Sequence, residues 1–182
     1  MGLLSRLLGR GEQKPKNELF DSIIGFDDIK EVVSLALDSP EPVHIAFVGP
    51  PASAKTLFLL EIHAYYKNKS YFIDATHASK AGIFDICFEQ RPSILVIDEL
   101  WQLKKQDQAV LFNLMETGIL SKTVHRKIVN TQLRCKVFAT MNESHRIMAA
   151  LKSRFQMFYL PEYTREEFIK IGAILLQRKG ID

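Results

Sequence analysis

The sequence predicts an α/β domain of three layers around a central parallel sheet of about five strands. Three observations carry that prediction. Short, unbroken apolar runs rich in β-branched and aromatic residues occur at 44–48, 70–74, 94–98, 136–140 and 156–160. Helix-length segments separate them, the pattern of parallel strands covered on both faces. Between the first strand and an apolar helix lies a turn from Gly49 to Thr56, containing Gly49, Pro50 and Pro51. The 182 residues are 47% hydrophobic, enough for one domain with a real core and too apolar for a disordered chain.

Each element has a local reason. Residues 1–17 form a polar, basic tail whose opening places Leu3, Leu4, Leu7 and Leu8 at helical spacing; it reads as a frayed or locally packed terminus, with a membrane surface or a partner as the alternative. Helical segments are expected at 27–37, 55–66, 78–89, 104–116, 145–151 and 164–179. The last opens on Thr164 with Glu167 three residues later, a capping box. Thr117-Gly118 breaks the fourth helix, and two β-rich stretches, 119–124 and 128–133, flank His125-Arg126-Lys127 as a hairpin inserted before the fourth sheet strand. Repeated strand–helix units with right-handed crossovers then give the layered sheet.

The turn after the first strand carries the chemistry. Gly49-Pro50-Pro51-Ala52-Ser53-Ala54-Lys55-Thr56 fits the phosphate-binding loop GxxxxGK[ST] at every fixed position except one, where Ala54 replaces glycine at a cost in backbone freedom. Such a loop aims successive backbone N–H groups at phosphate oxygens, with Lys55 for the β- and γ-phosphates of ATP or ADP and the Thr56 hydroxyl for Mg2+. Some 40 residues on, Ile94-Leu95-Val96-Ile97 ends in Asp98 and Glu99. Asp98 is placed to hold magnesium, and Glu99 to polarise the water that attacks the γ-phosphate. Asn142 ends another strand and is placed to orient that water. Arg154, just before the last strand, is a candidate arginine finger for a neighbouring subunit's nucleotide. The fold class is therefore the three-layer P-loop NTPase domain.

Charge and cysteine content narrow the setting. The net charge of +3 resides in the tail, since Arg6, Arg10, Lys14 and Lys16 face one acid there and the remainder balances. Residues 117–142 hold Lys122, Arg126, Lys127, Arg134 and Lys136 with no acid, a basic stretch suited to a phosphate backbone or, alternatively, only solvated. Cys87 and Cys135 stand far apart with no CxxC pairing, so neither a disulfide framework nor a structural zinc site is expected. A cytoplasmic setting is the inference, with no apolar run near the roughly 20 residues of a membrane span.

With these elements in order, the chain resembles the AAA+ ATPases, and within them the hexameric Holliday-junction branch-migration motors of the RuvB type. GPPASAKT and ILVIDEL resemble that family's Walker A and B segments, ATMN its sensor 1 and LKSRF its arginine-finger segment. The stretch from Ile23 to Lys30 is similar to the N-terminal box, so Ile24 and Gly25 are implied to help line the adenine pocket. Residues 18–162 would then be the nucleotide-binding core and 163–182 the first helix of the helical lid; a sensor-2 arginine and a winged helix are not reached by Asp182. Ala52 and Ala54 depart from glycines usual in the family. Leu100-Trp101-Gln102 also departs, and Trp101 reads as packing or a local contact.

The resemblance implies ATP, Mg2+ and a homo-oligomeric ring, with the hairpin residues Lys122, Arg126, Lys127 and Arg134 toward DNA or a partner protein. Three readings follow: a DNA motor, a protein remodeller or loader, and a catalytically weak nucleotide-binding module.

Overall fold

The computed structural model describes residues 19–124, 127–169 and 171. The tail, the hairpin residue Arg126, the Lys127 side chain and the end of the last expected helix lie outside the described residues.

In chain order the elements are α1 (Asp27–Asp38), β1 (Ile45–Val48), α2 (Lys55–Tyr66), β2 (Ser70–Asp74), α3 (Lys80–Glu89), β3 (Ile94–Asp98), α4 (Lys105–Thr117), β4 (Ile119–Val124), β5 (Lys127–Gln132), β6 (Lys136–Met141), α5 (Ala149–Lys152) and β7 (Gln156–Tyr159). Five strands form one sheet in the order β2-β3-β6-β1-β7, all neighbours parallel. The fold class read from the sequence is thus the observed one.

Alternation along the buried strands explains the three layers. Ile45, Phe47, Ile94, Val96 and Phe138 face one side and pack with α1 and α2 through Val33, Phe58, Leu59 and Ile62. Ala46, Leu95, Ile97, Val137 and Ala139 face the other, against Ile83, Cys87, Leu111 and Leu114 of α3 and α4. Strands buried on both faces need continuous apolar runs, and these have them. Phe47 stacks on Phe58 with ring centres 4.7 Å apart, tying β1 to the helix that follows its loop.

Two elements differ from expectation. The segment expected as one helix over 145–151 is a 3-10 turn, Ser144–Arg146, and then the four-residue α5. Buried Gln108 on α4 is the cause: its Nε2 donates to the Arg146 carbonyl at 3.2 Å, and its Oε1 accepts from the Met148 N–H at 2.8 Å. Backbone groups that a continuous helix would use internally are taken by that one side chain. The hairpin is present as β4 and β5, paired antiparallel from Ile119↔Gln132 to Val124↔Lys127 and separate from the main sheet.

At the sheet's edge, Leu160 donates its N–H to Val48 O at 2.8 Å. A Cβ on Gly49 would clash with the Leu160 carbonyl, so glycine is required there for close backbone approach. Beyond it the capping box forms: Thr164 N–H and Oγ1 both donate to Glu167 Oε2, and Glu167 N–H donates to Thr164 Oγ1 at 3.2 Å. Helix begins at residue 165.

Candidate nucleotide site

All candidate residues of the phosphate site converge at the carboxyl ends of β1, β3 and β6. Ligands in open parallel sheets bind at this edge. Lys55 opens α2 and is 3% exposed. Its ammonium donates to the Pro50 carbonyl and, at 3.1 Å, to Ser53 Oγ, so Pro50 and Ser53 fold the loop around the cation. Burial lowers the Lys55 pKa, opposed by the charges of Glu99 and then Asp98. An ammonium so desolvated gains by meeting an anion.

The two alanines of the loop behave differently. Ala54 has φ −68°, an ordinary conformation, and its methyl is buried at 3% exposure beside Phe58. The expected backbone cost at Ala54 is therefore absent. It falls instead on Ala52, whose φ is +63° in the left-handed region. A side chain there costs of the order of 1 kcal/mol.

Across the site, Thr56 Oγ1 donates to Asp98 Oδ1 at 3.1 Å. Thr140 Oγ1 donates to the same carboxylate and accepts from the Glu99 N–H at 2.9 Å. A hydroxyl and a carboxylate held side by side are the hard oxygen donors that Mg2+ favours, so these residues fit the ion. Asn142 follows β6, and its Oδ1 is buried with no hydrogen-bond partner among the described residues.

Glu99 has φ +55° and its Oε2 accepts from Trp101 Nε1. Trp101, read from the sequence as packing or a local contact, thus touches the candidate base itself. Thr140 is likewise a site residue that sequence reasoning passed over. Its signal was a hydroxyl within the otherwise apolar run Val137-Phe138-Ala139-Thr140-Met141, fully buried.

Ile24 and Gly25 precede Phe26, which packs on Tyr163 at 5.6 Å and on Phe58 at 6.4 Å between ring centres. Gly25 takes φ +71°. The N-terminal box, the phosphate-loop helix and the segment after β7 therefore meet in one aromatic cluster. The Tyr163 hydroxyl there is buried and has no hydrogen-bond partner among the described residues.

Arg154 stands apart. It precedes Gln156, which is level with Ile45 at the amino end of β1, whereas the phosphate loop follows the carboxyl end. Its Nε pairs with Glu116 Oε2, and its guanidinium lies 5.7 Å from the centre of the Phe112 ring.

Three cations of the basic stretch have partners within the chain. Lys122 pairs with Asp85 on α3 at 2.7 Å and lies over Phe84; Arg134 pairs with Glu41 at 2.6 Å. Lys136 Nζ donates to the Leu37 and Ser39 carbonyls at 2.6 and 2.7 Å, closing the end of α1. Arg91 also holds the hairpin, donating to Thr131 Oγ1 at 2.8 Å and Gln132 O at 2.9 Å.

A parallel sheet whose first strand enters a lysine-threonine loop at a helix start, facing an aspartate-glutamate strand end, defines a P-loop nucleotide-binding domain. A family model described as "ATPase family associated with various cellular activities (AAA)" matches residues 45–163, and the chain belongs to that family. It carries an ATPase domain of the AAA+ class and binds nucleotide. No curated protein matches the chain. Among the described residues, no helix is long and apolar enough to cross a membrane.

Proposed function

We propose that the chain is a Mg2+-dependent ATPase subunit that works in a homo-oligomeric, hexameric ring in the cytoplasm. The observation that carries this reading is the hydroxyl–carboxylate cluster of Thr56, Asp98 and Thr140 beside buried Lys55. Lys55 pairs with the β- and γ-phosphates, and the Gly49–Ala54 backbone cradles them. Thr56 and Asp98 would hold Mg2+, which would supply charge neutralisation at the phosphates. Glu99 accepts the proton of the attacking water, while Asn142 orients that water through its unpartnered amide oxygen. Ile24, Gly25, Phe26 and Tyr163 border the adenine. Arg154 acts on the neighbouring copy's nucleotide, because its position at the opposite sheet edge gives it no part in its own.

Within that class, the RuvB-type resemblance supports a DNA motor whose hairpin meets the duplex or junction. Lys122 and Arg134 are paired within the chain, so contact with DNA would fall to Arg126 and Lys127 at the turn. Those same internal pairs favour the second reading, a protein remodeller or loader whose hairpin grips a polypeptide.

Lys55→Ala should abolish Mg2+-dependent ATP binding, and Glu99→Gln should retain ATP and stop turnover. Wild-type protein without Mg2+-dependent ATP binding ends the reading. Titration with branched and single-stranded DNA at low salt separates the two roles. Binding weakened by an Arg126→Ala/Lys127→Ala variant supports the motor, whereas no affinity at low salt leaves the remodeller.

A further inference from the structure

Trp101 sits on the 3-10 turn Leu100–Gln102, directly after the candidate base. Its indole N–H donates to Glu99 Oε2, leaving the other carboxylate oxygen free for a water proton. Glu99 is also the foremost charge acting on Lys55, so its carboxylate lies within electrostatic reach of the phosphate loop while Trp101 holds it. The ring itself is clamped. The Arg146 guanidinium lies 4.9 Å from its centre, and the Arg146 carbonyl is fixed by buried Gln108, which also bonds the Leu103 carbonyl at 3.0 Å. One side chain of α4 therefore sets both the exit of the turn that carries Trp101 and the loop that carries Arg146.

We propose that Trp101 is a positioning residue for hydrolysis: its N–H fixes the rotamer of Glu99 toward the γ-phosphate, and Arg146 holds the indole in place. The inference rests on the ATPase reading above and deepens it. A carboxylate two residues away on a tight turn, with Glu99 in a left-handed conformation, has several rotamers to sample when unheld; a single donor on a clamped ring removes that freedom. Arg146 is exposed, and among the described residues no hydrogen bond or ion pair joins it to the phosphate loop, so it acts through the ring it covers.

Trp101 is the single tryptophan of the chain, which supplies a readout besides turnover. The Trp101 emission spectrum of the full chain without nucleotide should shift in Glu99→Ala. In steady-state ATPase assays, Trp101→Phe keeps the ring under Arg146 but lacks the donor. It should lower kcat about tenfold with KM within about twofold, the split expected when a transition-state interaction is lost. Arg146→Met should lower kcat by less, and the double variant should be no slower than Trp101→Phe alone. Unchanged emission in Glu99→Ala overturns the contact, and wild-type kcat in Trp101→Phe overturns its purpose. A wild-type chain without turnover overturns the ATPase reading, and the catalytic purpose of the contact with it.

Discussion

The loop alanines show how much a single dihedral decides. Both stand where the resembled family carries glycine, yet Ala52 is left-handed and exposed while Ala54 is right-handed and buried. Ala52→Gly should relieve strain and stabilise the fold by up to about 1 kcal/mol. Ala54→Gly should destabilise it by about 1 kcal/mol, since it loses a buried methyl and gains chain entropy. Thermal unfolding of the two variants should thus move in opposite directions; shifts of the same sign would contradict the assigned conformations. The left-handed Glu99 is a different case, because its backbone N–H is fixed by Thr140 and its side chain by Trp101.

The element scale separates what the chain announces locally from what needs three dimensions. The central strands β1, β3 and β6 were legible because burial on both faces leaves no alternative to an unbroken apolar run. Asp98 was legible for a similar reason, fixed by its place at the end of such a run, and Lys55 and Thr56 were legible from the loop motif between such a run and a helix. The failed helix over 145–151 has Ile147 and Leu151 at helical spacing, both buried, so its periodicity is genuine. What breaks it is Gln108, some 40 residues upstream, whose side-chain competition for backbone groups leaves no trace in the local pattern. The hidden site residues follow the same rule: Thr140 reaches Asp98 only through the pairing of β3 with β6.

Arg154 was legible as a residue, but its partner Glu116, at the end of α4, was not. If Arg154 acts on a neighbouring copy, assembly has to exchange Glu116 for a nucleotide. Arg154→Ala should then lower turnover by about 10³-fold or more while leaving ATP binding intact. Mixing inactive Arg154→Ala with inactive Lys55→Ala should restore part of the activity, because an intact finger and an intact site come from different chains. Mixtures that stay inactive at assembling concentrations would place Arg154 outside the chemistry.

For the molecule as a whole, acid sensitivity is set in part by a residue remote from the nucleotide. His44 is buried at the foot of β1, where its Nδ1 accepts from the Val137 N–H at 3.1 Å. Burial depresses its pKa to about 4, only partly offset by a hydrogen bond to the Met115 backbone. Between about pH 6.5 and 4 the unfolded chain binds a proton at this histidine that the folded chain refuses, so stability rises with pH across that window. Acidification should remove about 3 kcal/mol through this one group. Urea unfolding at several pH values should show a steeper acid slope for wild type than for His44→Asn; equal slopes would remove His44 from that role. The charges of the hairpin belong to this scale too. Asp85 and Glu41 are distant in sequence from Lys122 and Arg134, so the pairing of these two cations of the basic stretch could not be read along the chain.

The approach of Leu160 to Gly49 has a mechanical consequence. The last residue bonded to the edge of the sheet grips the first residue of the phosphate cradle through backbone alone, its N–H on Val48 and its carbonyl against Gly49. No compliant side chain intervenes. Pro161 follows at once, so the chain leaves this point stiffly toward Tyr163 and the capped helix. Such a junction can serve as a fulcrum: a pull on the segment beyond β7 would be delivered to the loop around the phosphates, and a rearrangement of that loop would return as torque on the segment.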